Sequence, residues 1–187
     1  MTDETLDEKV VALGATLREH DVPFAFGGAL ALAYYAVPRA TIDVDLNVFV
    51  EPAAIDRIRK AFASLGVAVS SANKRAALKN GQVRLRWGPS PVDVFFAYDK
   101  FHFNAAQRIR VVRFGADKIP ILAAEDLMTC KVVFDRRKDW LDIEQMLLLN
   151  AGAIDIDDAR RWIVAIVGAD DARLARFEQA VREVLGQ

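Results

Sequence analysis

From Ile42 to Val50 the chain alternates apolar and polar residues almost without a break, and no other stretch restricts its fold as much. A period of two puts Ile42, Val44, Leu46 and Val48 on one face of a strand and Asp43, Asp45 and Asn47 on the other. Upstream, Val22–Phe26 is short and apolar and stops at Gly27-Gly28, the pattern of a buried strand entering a tight turn. Downstream, Val83–Trp87 and Val92–Phe96 flank Gly88-Pro89-Ser90-Pro91, which predicts a hairpin. Short strands are also expected at Val67–Ser70, Ile109–Phe114 and Ile119–Leu122.

A sheet with one apolar face needs helices to cover it. Leu6, Val10, Leu13 and Leu17 recur at helical spacing, with Thr2 or Asp3 available as a cap. Ala29–Ala36 is helix-forming up to the break imposed by Pro38, and Pro52 suits the first turn of a helix running to about Leu65. Beyond Ala123 the periodicity predicts helices near 124–135, 138–150, 156–167 and 170–185. The expected class is α/β (α+β): a mixed β-sheet flanked by helices over residues 1–122, then a C-terminal helical segment, 123–187, packed on that core.

Among 187 residues, 53% are hydrophobic and 27% charged, which is a globular composition and excludes wholesale disorder. Cys130 is the sole cysteine, so no intrachain disulfide can form, and with only His20 and His102 a zinc site of cysteines and histidines is excluded. The acidic start and the lack of a long apolar run lead to the expectation of a cytoplasmic protein with no membrane partner. The net charge of −1 is unevenly spread. Residues 71–118 hold ten basic side chains against three acids, so that stretch carries about +7 and the remainder about −8. Such a segment suits a polyanion, or is a set of solvated strands and loops.

Asp43 and Asp45, two residues apart on one strand face, repel each other unless a cation lies between them. Hard oxygen ligands of this kind suit Mg²⁺, which bridges carboxylates to substrate phosphates. Asp93 is the only charge in the apolar run Val92–Phe96. A buried carboxylate needs a metal or a partner, and a neighbouring arginine would serve as well as an ion. If its strand lies beside the first, three carboxylates converge; an Asp93 lying far away, or already neutralised by a guanidinium, would end the reading of a three-carboxylate metal site. Gly27-Gly28 lets the backbone approach a phosphate closely. Lys131 and Asp142 fit an exposed helical ladder of ion pairs with Asp135 and Lys138 equally well.

Gly27-Gly28 followed by Tyr34, then Arg39-x-Thr41-x-Asp43-x-Asp45, then Asp93 on a later strand, resembles the nucleotidyltransferase superfamily. Within it the chain is most similar to the AbiEii-type toxins and their relatives, a likeness continued by Glu125-Asp126-Leu127, Lys131 and Arg136-Arg137-Lys138-Asp139-Trp140-Leu141-Asp142-Ile143. The resemblance covers about residues 22–150. It implies that Asp43, Asp45 and Asp93 are catalytic and bind Mg²⁺, and that Gly27, Gly28, Arg39, Thr41 and Lys131 bind the NTP substrate. It further implies nucleotidyl transfer to a hydroxyl on RNA (tRNA or another polyanion), on protein or on a small molecule, and an antitoxin protein as partner. Where related proteins often carry Gly-Ser, this chain has Gly27-Gly28, leaving only backbone contacts at that position. The alternative is a non-catalytic module of the same fold that binds a nucleotide or a partner.

Overall fold

The computed structural model describes residues 4–150 and 152–186. The chain falls into two compact units, one holding residues up to Leu30 together with Ala40–Leu122, the other holding Ala31–Arg39 together with the residues from Ala123 onward.

The first unit opens with α1, Leu6–Glu19, capped by Thr5 and Glu8, each side chain bonding the other's backbone N–H. A cap at Thr2 or Asp3 lies outside the described residues. Its strands are β1 (Phe24–Phe26), β2 (Val44–Val48), β3 (Gln82–Trp87), β4 (Ser90–Phe96), β5 (Arg110–Phe114) and β6 (Asp117–Ile121). They form one mixed sheet in the order β3-β4-β2-β1-β6-β5. β2 runs parallel to β4 and antiparallel to β1, and β1 runs parallel to β6. Rungs of apolar residues cross the middle strands, Leu85–Val92–Val44 and Val83–Val94–Leu46. All six are at most 5% exposed, whereas Asp45, Asn47, Pro91, Asp93 and Phe95 on the opposite face are half-buried. The alternation read from the sequence is the alternation of burial from Val44 to Val48, with Val44, Leu46 and Val48 inward and Asp45 and Asn47 outward; the strand is shorter than the expected 42–50, and Ile42, expected in the core, lies before it and is 67% exposed.

α1 packs on β6 and on the helix α3, Ile55–Ala63, which follows a 3₁₀ turn at Pro52–Ala54. Between β1 and β2 lies the five-residue helix α2, Gly28–Leu32, shorter than the expected 29–36. Lys9 of α1 is buried and donates to the Trp87 carbonyl at 3.2 Å and to Ser90 Oγ at 3.1 Å, tying the helix to the β3–β4 turn.

Two elements correct the sequence reading. Val67–Ser70 is not a strand; Ser70 instead caps α4, Ser71–Asn80, in a reciprocal box with Asn73, and Gly81 ends it in the left-handed region. Only Ala77 of α4 is buried, so the helix shows no apolar period to read. α5, Lys100–Ala106, capped by Asp99, likewise escaped notice.

The second unit holds α6 (Ala124–Phe134), α7 (Arg137–Leu149), α8 (Ile156–Val167) and α9 (Ala172–Leu185), close to the expected spans. Leu127, Met128, Val132, Trp140, Ile143, Met146, Ile163 and Phe177 form its core. Asp135, with φ at 53°, ends α6 in left-handed geometry, so the run 131–142 is two helices and not one. No helix among the described residues is long and apolar enough to cross a membrane.

Candidate active site

Parallel pairing of β2 and β4 makes Asp45 and Asp93 direct neighbours in register, with Val44 beside Val92 and Leu46 beside Val94. Strand spacing places their Cα atoms about 5 Å apart, on the same face. Asp43 precedes β2 by one residue, and its charge, like that of Asp45, acts on Arg84. Its backbone is held by Thr41: the Asp43 N–H donates to Thr41 Oγ1 at 3.1 Å, and that hydroxyl donates to the Asp43 carbonyl at 3.3 Å. Thr41 thus orients the turn that delivers Asp43 to the strand.

The glycine pair lies against Asp45. The Gly27 N–H donates to the Asp45 carbonyl at 2.9 Å. Gly28 has φ at 50°, and a Cβ there would stand 1.7 Å from Asp45 Oδ2 and 2.4 Å from its Cγ. At Gly27 a Cβ would stand 2.7 Å from Asn47 Nδ2. This close approach, with the positive φ, accounts for a glycine at residue 28: any side chain there would displace the carboxylate beside it.

Asp93 has a partner that the sequence reading did not assign. Arg84, directly opposite it on β3, donates from Nε to Oδ1 at 2.7 Å and from Nη2 to Oδ2 at 2.5 Å. The Arg84 side chain is 62% exposed and that of Asp93 19%. The hydrogen bonds and charge of Asp93, reinforced by the charges of Asp43 and Asp45, hold the guanidinium more firmly protonated than an ordinary arginine. The signal was present in the hairpin. Its turn is only Gly88-Pro89, so pairing runs outward from Trp87–Ser90 and reaches Arg84–Asp93 three rungs on; the four-residue turn expected from the sequence would shift that register.

Among the described residues no three acidic, histidine or cysteine side chains converge closely enough to hold a metal ion. Asp45 and Asp93 sit side by side, with Asp43 one alternation away, and offer the oxygen donors that Mg²⁺ prefers. The donor chemistry and the glycine cradle at Asp45 fit the ion; the fork on Asp93 does not, so a third ligand requires that Arg84 let go.

The other two nucleotide-binding candidates lie in the second unit. Lys131 is buried, 4% exposed at its side chain, with Nζ 2.6 Å from Asp142 Oδ2 and 3.7 Å from Asp139 Oδ1. Arg39 reaches the same Asp142 oxygen at 3.3 Å. Asp139, wholly buried, also accepts from Arg136 Nε at 2.6 Å and Nη2 at 3.1 Å. Lys131 therefore belongs to an interior ion cluster with its charge already matched, and the exposed ladder with Asp135 and Lys138 does not form. Asp135 instead accepts from Trp140 Nε1 at 2.6 Å. The basic stretch is divided between elements: Arg84 and Arg86 stand at alternate positions of β3, Lys74 pairs with Asp56, and Arg110, Arg113 and Lys118 lie on β5 and β6 at the far edge of the sheet.

Solved structures of similar architecture include nucleotidyltransferases. The antibiotic-resistance factor ANT(2'')-Ia superposes with a TM-score of 0.63 at 13% identity, over 97% of this chain and 100% of that one. An antigenic nucleotidyltransferase-like protein from Paracoccidioides brasiliensis gives 0.52 at 18% identity, over 97% of both chains. The lincosamide antibiotic adenylyltransferase LnuA gives 0.52 at 12% identity, over 78% of this chain and 98% of that one. These likenesses establish the nucleotidyltransferase fold. The model of the family described as "Nucleotidyl transferase AbiEii toxin, Type IV TA system" matches residues 11–185, and the chain belongs to that family. It is a nucleotidyltransferase of toxin–antitoxin type, as the resemblance in its motifs implied, and a nucleoside triphosphate is its donor substrate. No curated protein sequence matches it.

Proposed function

We propose that the carboxylate face of β2 and β4 is the active site, and that with Mg²⁺ it moves a nucleotidyl group from an NTP to a hydroxyl acceptor. The observation that carries this reading is the register of Asp45 with Asp93, with Gly28 pressed against the Asp45 carboxylate. Asp43 and Asp45 would hold the metal, and Asp93 would complete the set only once Arg84 releases its oxygens. Magnesium, when bound, offsets the charge of the triphosphate and of the attacking oxygen. In this reading Asp93, once released by Arg84, would also take the proton of the acceptor hydroxyl. That oxygen forms a bond to the α-phosphorus as the bond to the bridging oxygen breaks and pyrophosphate leaves. The chain's part is alignment and charge neutralisation. Gly27 and Gly28 let the backbone approach the phosphates; Thr41 keeps Asp43 in place. Arg39 and Lys131 act on the nucleotide only through the Asp142 cluster that holds them, which makes them supports of the second unit first.

Arg84 and Arg86, alternating along β3 on the side of Asp93, support a polyanionic acceptor such as tRNA over a cationic small molecule. The family supports an antitoxin protein as partner. The test incubates the full chain with Mg²⁺ and each labelled NTP against total tRNA, protein extract and small-molecule acceptors. Asp43→Asn and Asp45→Asn should each abolish labelling while leaving the circular dichroism spectrum intact, and Asp93→Asn should slow it about 10²–10⁴-fold. Labelling that survives the Asp43/Asp45 double substitution refutes the assignment.

A further inference from the structure

Arg84 is poorly explained as a stabilising ion pair. Its side chain is mostly in solvent and stands on β3, the edge strand of the sheet, where exposed pairs contribute little. Its fork nevertheless takes both oxygens of Asp93, the one candidate ligand supplied by β4. With both oxygens in the fork, a divalent ion approaching that carboxylate competes with the guanidinium for them and repels it. The two partners differ in mobility. Asp93 is fixed in the middle of a strand paired on both sides, and its side chain is 19% exposed; Arg84 is a long chain, 62% exposed, with open solvent to enter. When the pair separates, the arginine is the partner that moves.

We infer that Arg84 is a positioning residue that serves as the resident counter-cation of the acidic face, holding Asp93 until a divalent cation displaces it, so that metal binding at this site is an exchange of one cation for another. The inference rests on the active-site reading above. Without the arginine, Asp93 would stand beside Asp45 with neither of its oxygens bonded to a guanidinium. The exchange also sets the metal requirement, because the ion must compete with an internal cation for its third ligand.

The test measures Mn²⁺ binding to the full, nucleotide-free chain by following the free-ion signal in electron paramagnetic resonance. Arg84→Gln should bind Mn²⁺ about five- to tenfold more tightly than the parent, the order expected from removing a partly exposed bidentate competitor. Arg84→Lys, which keeps the charge but cannot fork both oxygens, should fall between them, and it serves in place of Arg84→Gln should that variant not fold. In an Asp93→Asn background the Arg84 substitutions should change Mn²⁺ affinity no further. In turnover, the Mg²⁺ concentration for half-maximal rate should fall in Arg84→Gln in step with the Mn²⁺ affinity. Unchanged Mn²⁺ affinity in both Arg84 variants, with binding still weakened by Asp43→Asn and Asp93→Asn, overturns the exchange while leaving the site intact. Mn²⁺ binding indifferent to Asp43→Asn and Asp93→Asn overturns the active-site reading and the exchange with it.

Discussion

Gly28→Ala separates the backbone role of the glycine turn from its role beside Asp45. Gly28 and Gly115 have nearly the same left-handed backbone, φ of 50° and 59°. Around Gly115 nothing lies within 4 Å of an added Cβ, whereas at Gly28 the new atom would fall 1.7 Å from Asp45 Oδ2, 2.4 Å from Cγ and 2.8 Å from Cβ. Gly115→Ala therefore reports the left-handed penalty alone, about 1 kcal/mol. Gly28→Ala carries the same penalty, plus about 1–2 kcal/mol for driving Asp45 off its rotamer. Because the overlap extends to Asp45 Cβ, rotating the carboxylate does not relieve it and the strand must shift as well. At about 2–4 °C per kcal/mol for a domain of this size, the melting temperature should drop by about 3 °C in Gly115→Ala and about twice that or more in Gly28→Ala. Nucleotidyl transfer should be unaffected in Gly115→Ala and fall about 100-fold in Gly28→Ala, since displacing a reacting group by 1 Å has that scale of effect. Differential scanning fluorimetry and labelled-NTP transfer on the pair decide the matter. Equal melting temperatures and full activity in both would refute the argument that Asp45 is held against the glycine turn.

Lys131→Met should destabilise the chain by about 3–5 kcal/mol in urea unfolding, because Asp139 and Asp142 would stay buried with too little positive charge. A loss of NTP binding at unchanged stability would instead make Lys131 a direct nucleotide contact. Asp171 caps α9 and accepts from the side chain and backbone N–H of Arg173, which together hold its pKa down at about 2 from 3.8. A folded-state pKa below the unfolded one stabilises above the unfolded value and is lost as pH falls, so urea midpoints of the parent and Asp171→Asn should differ at neutral pH and converge between about pH 4 and pH 2. A gap that persists at pH 2 would show that the cap does not act through its charge. Ser70→Ala should lose about 1 kcal/mol by removing the cap of α4, read as a lower urea midpoint; no change would mean that α4 is held by its contact with β3 alone.

Local signals were sufficient for the strands and helices that have one apolar face. Val44, Leu46 and Val48 had to turn inward together because a strand has period two, and that alone put Asp45 and Asn47 on the other side. α7, α8 and α9 of the second unit were legible for the same reason at period 3.6, whereas α6 is buried nearly all round and has no such face. α4 and α5 were not. α4 is polar nearly all round, and its capping box at Ser70 and Asn73, visible in the sequence, says where a helix begins only once a helix is suspected.

The residue types of the candidate site, and their alternation on one strand, were set by the sequence alone, since they depend on neighbours one or two positions away. Which charge meets which depended on pairing across the sheet and between helices. Asp45 stands beside Asp93 because β2 and β4 are parallel in that register, and Arg84 faces Asp93 because a two-residue turn sets the hairpin. Lys131 and Asp142, eleven positions apart, are buried together because Asp135 breaks the helix and lets α7 fold back on α6. A carboxylate's chemistry follows from the cation nearest to it, and only the folded chain decides which cation that is.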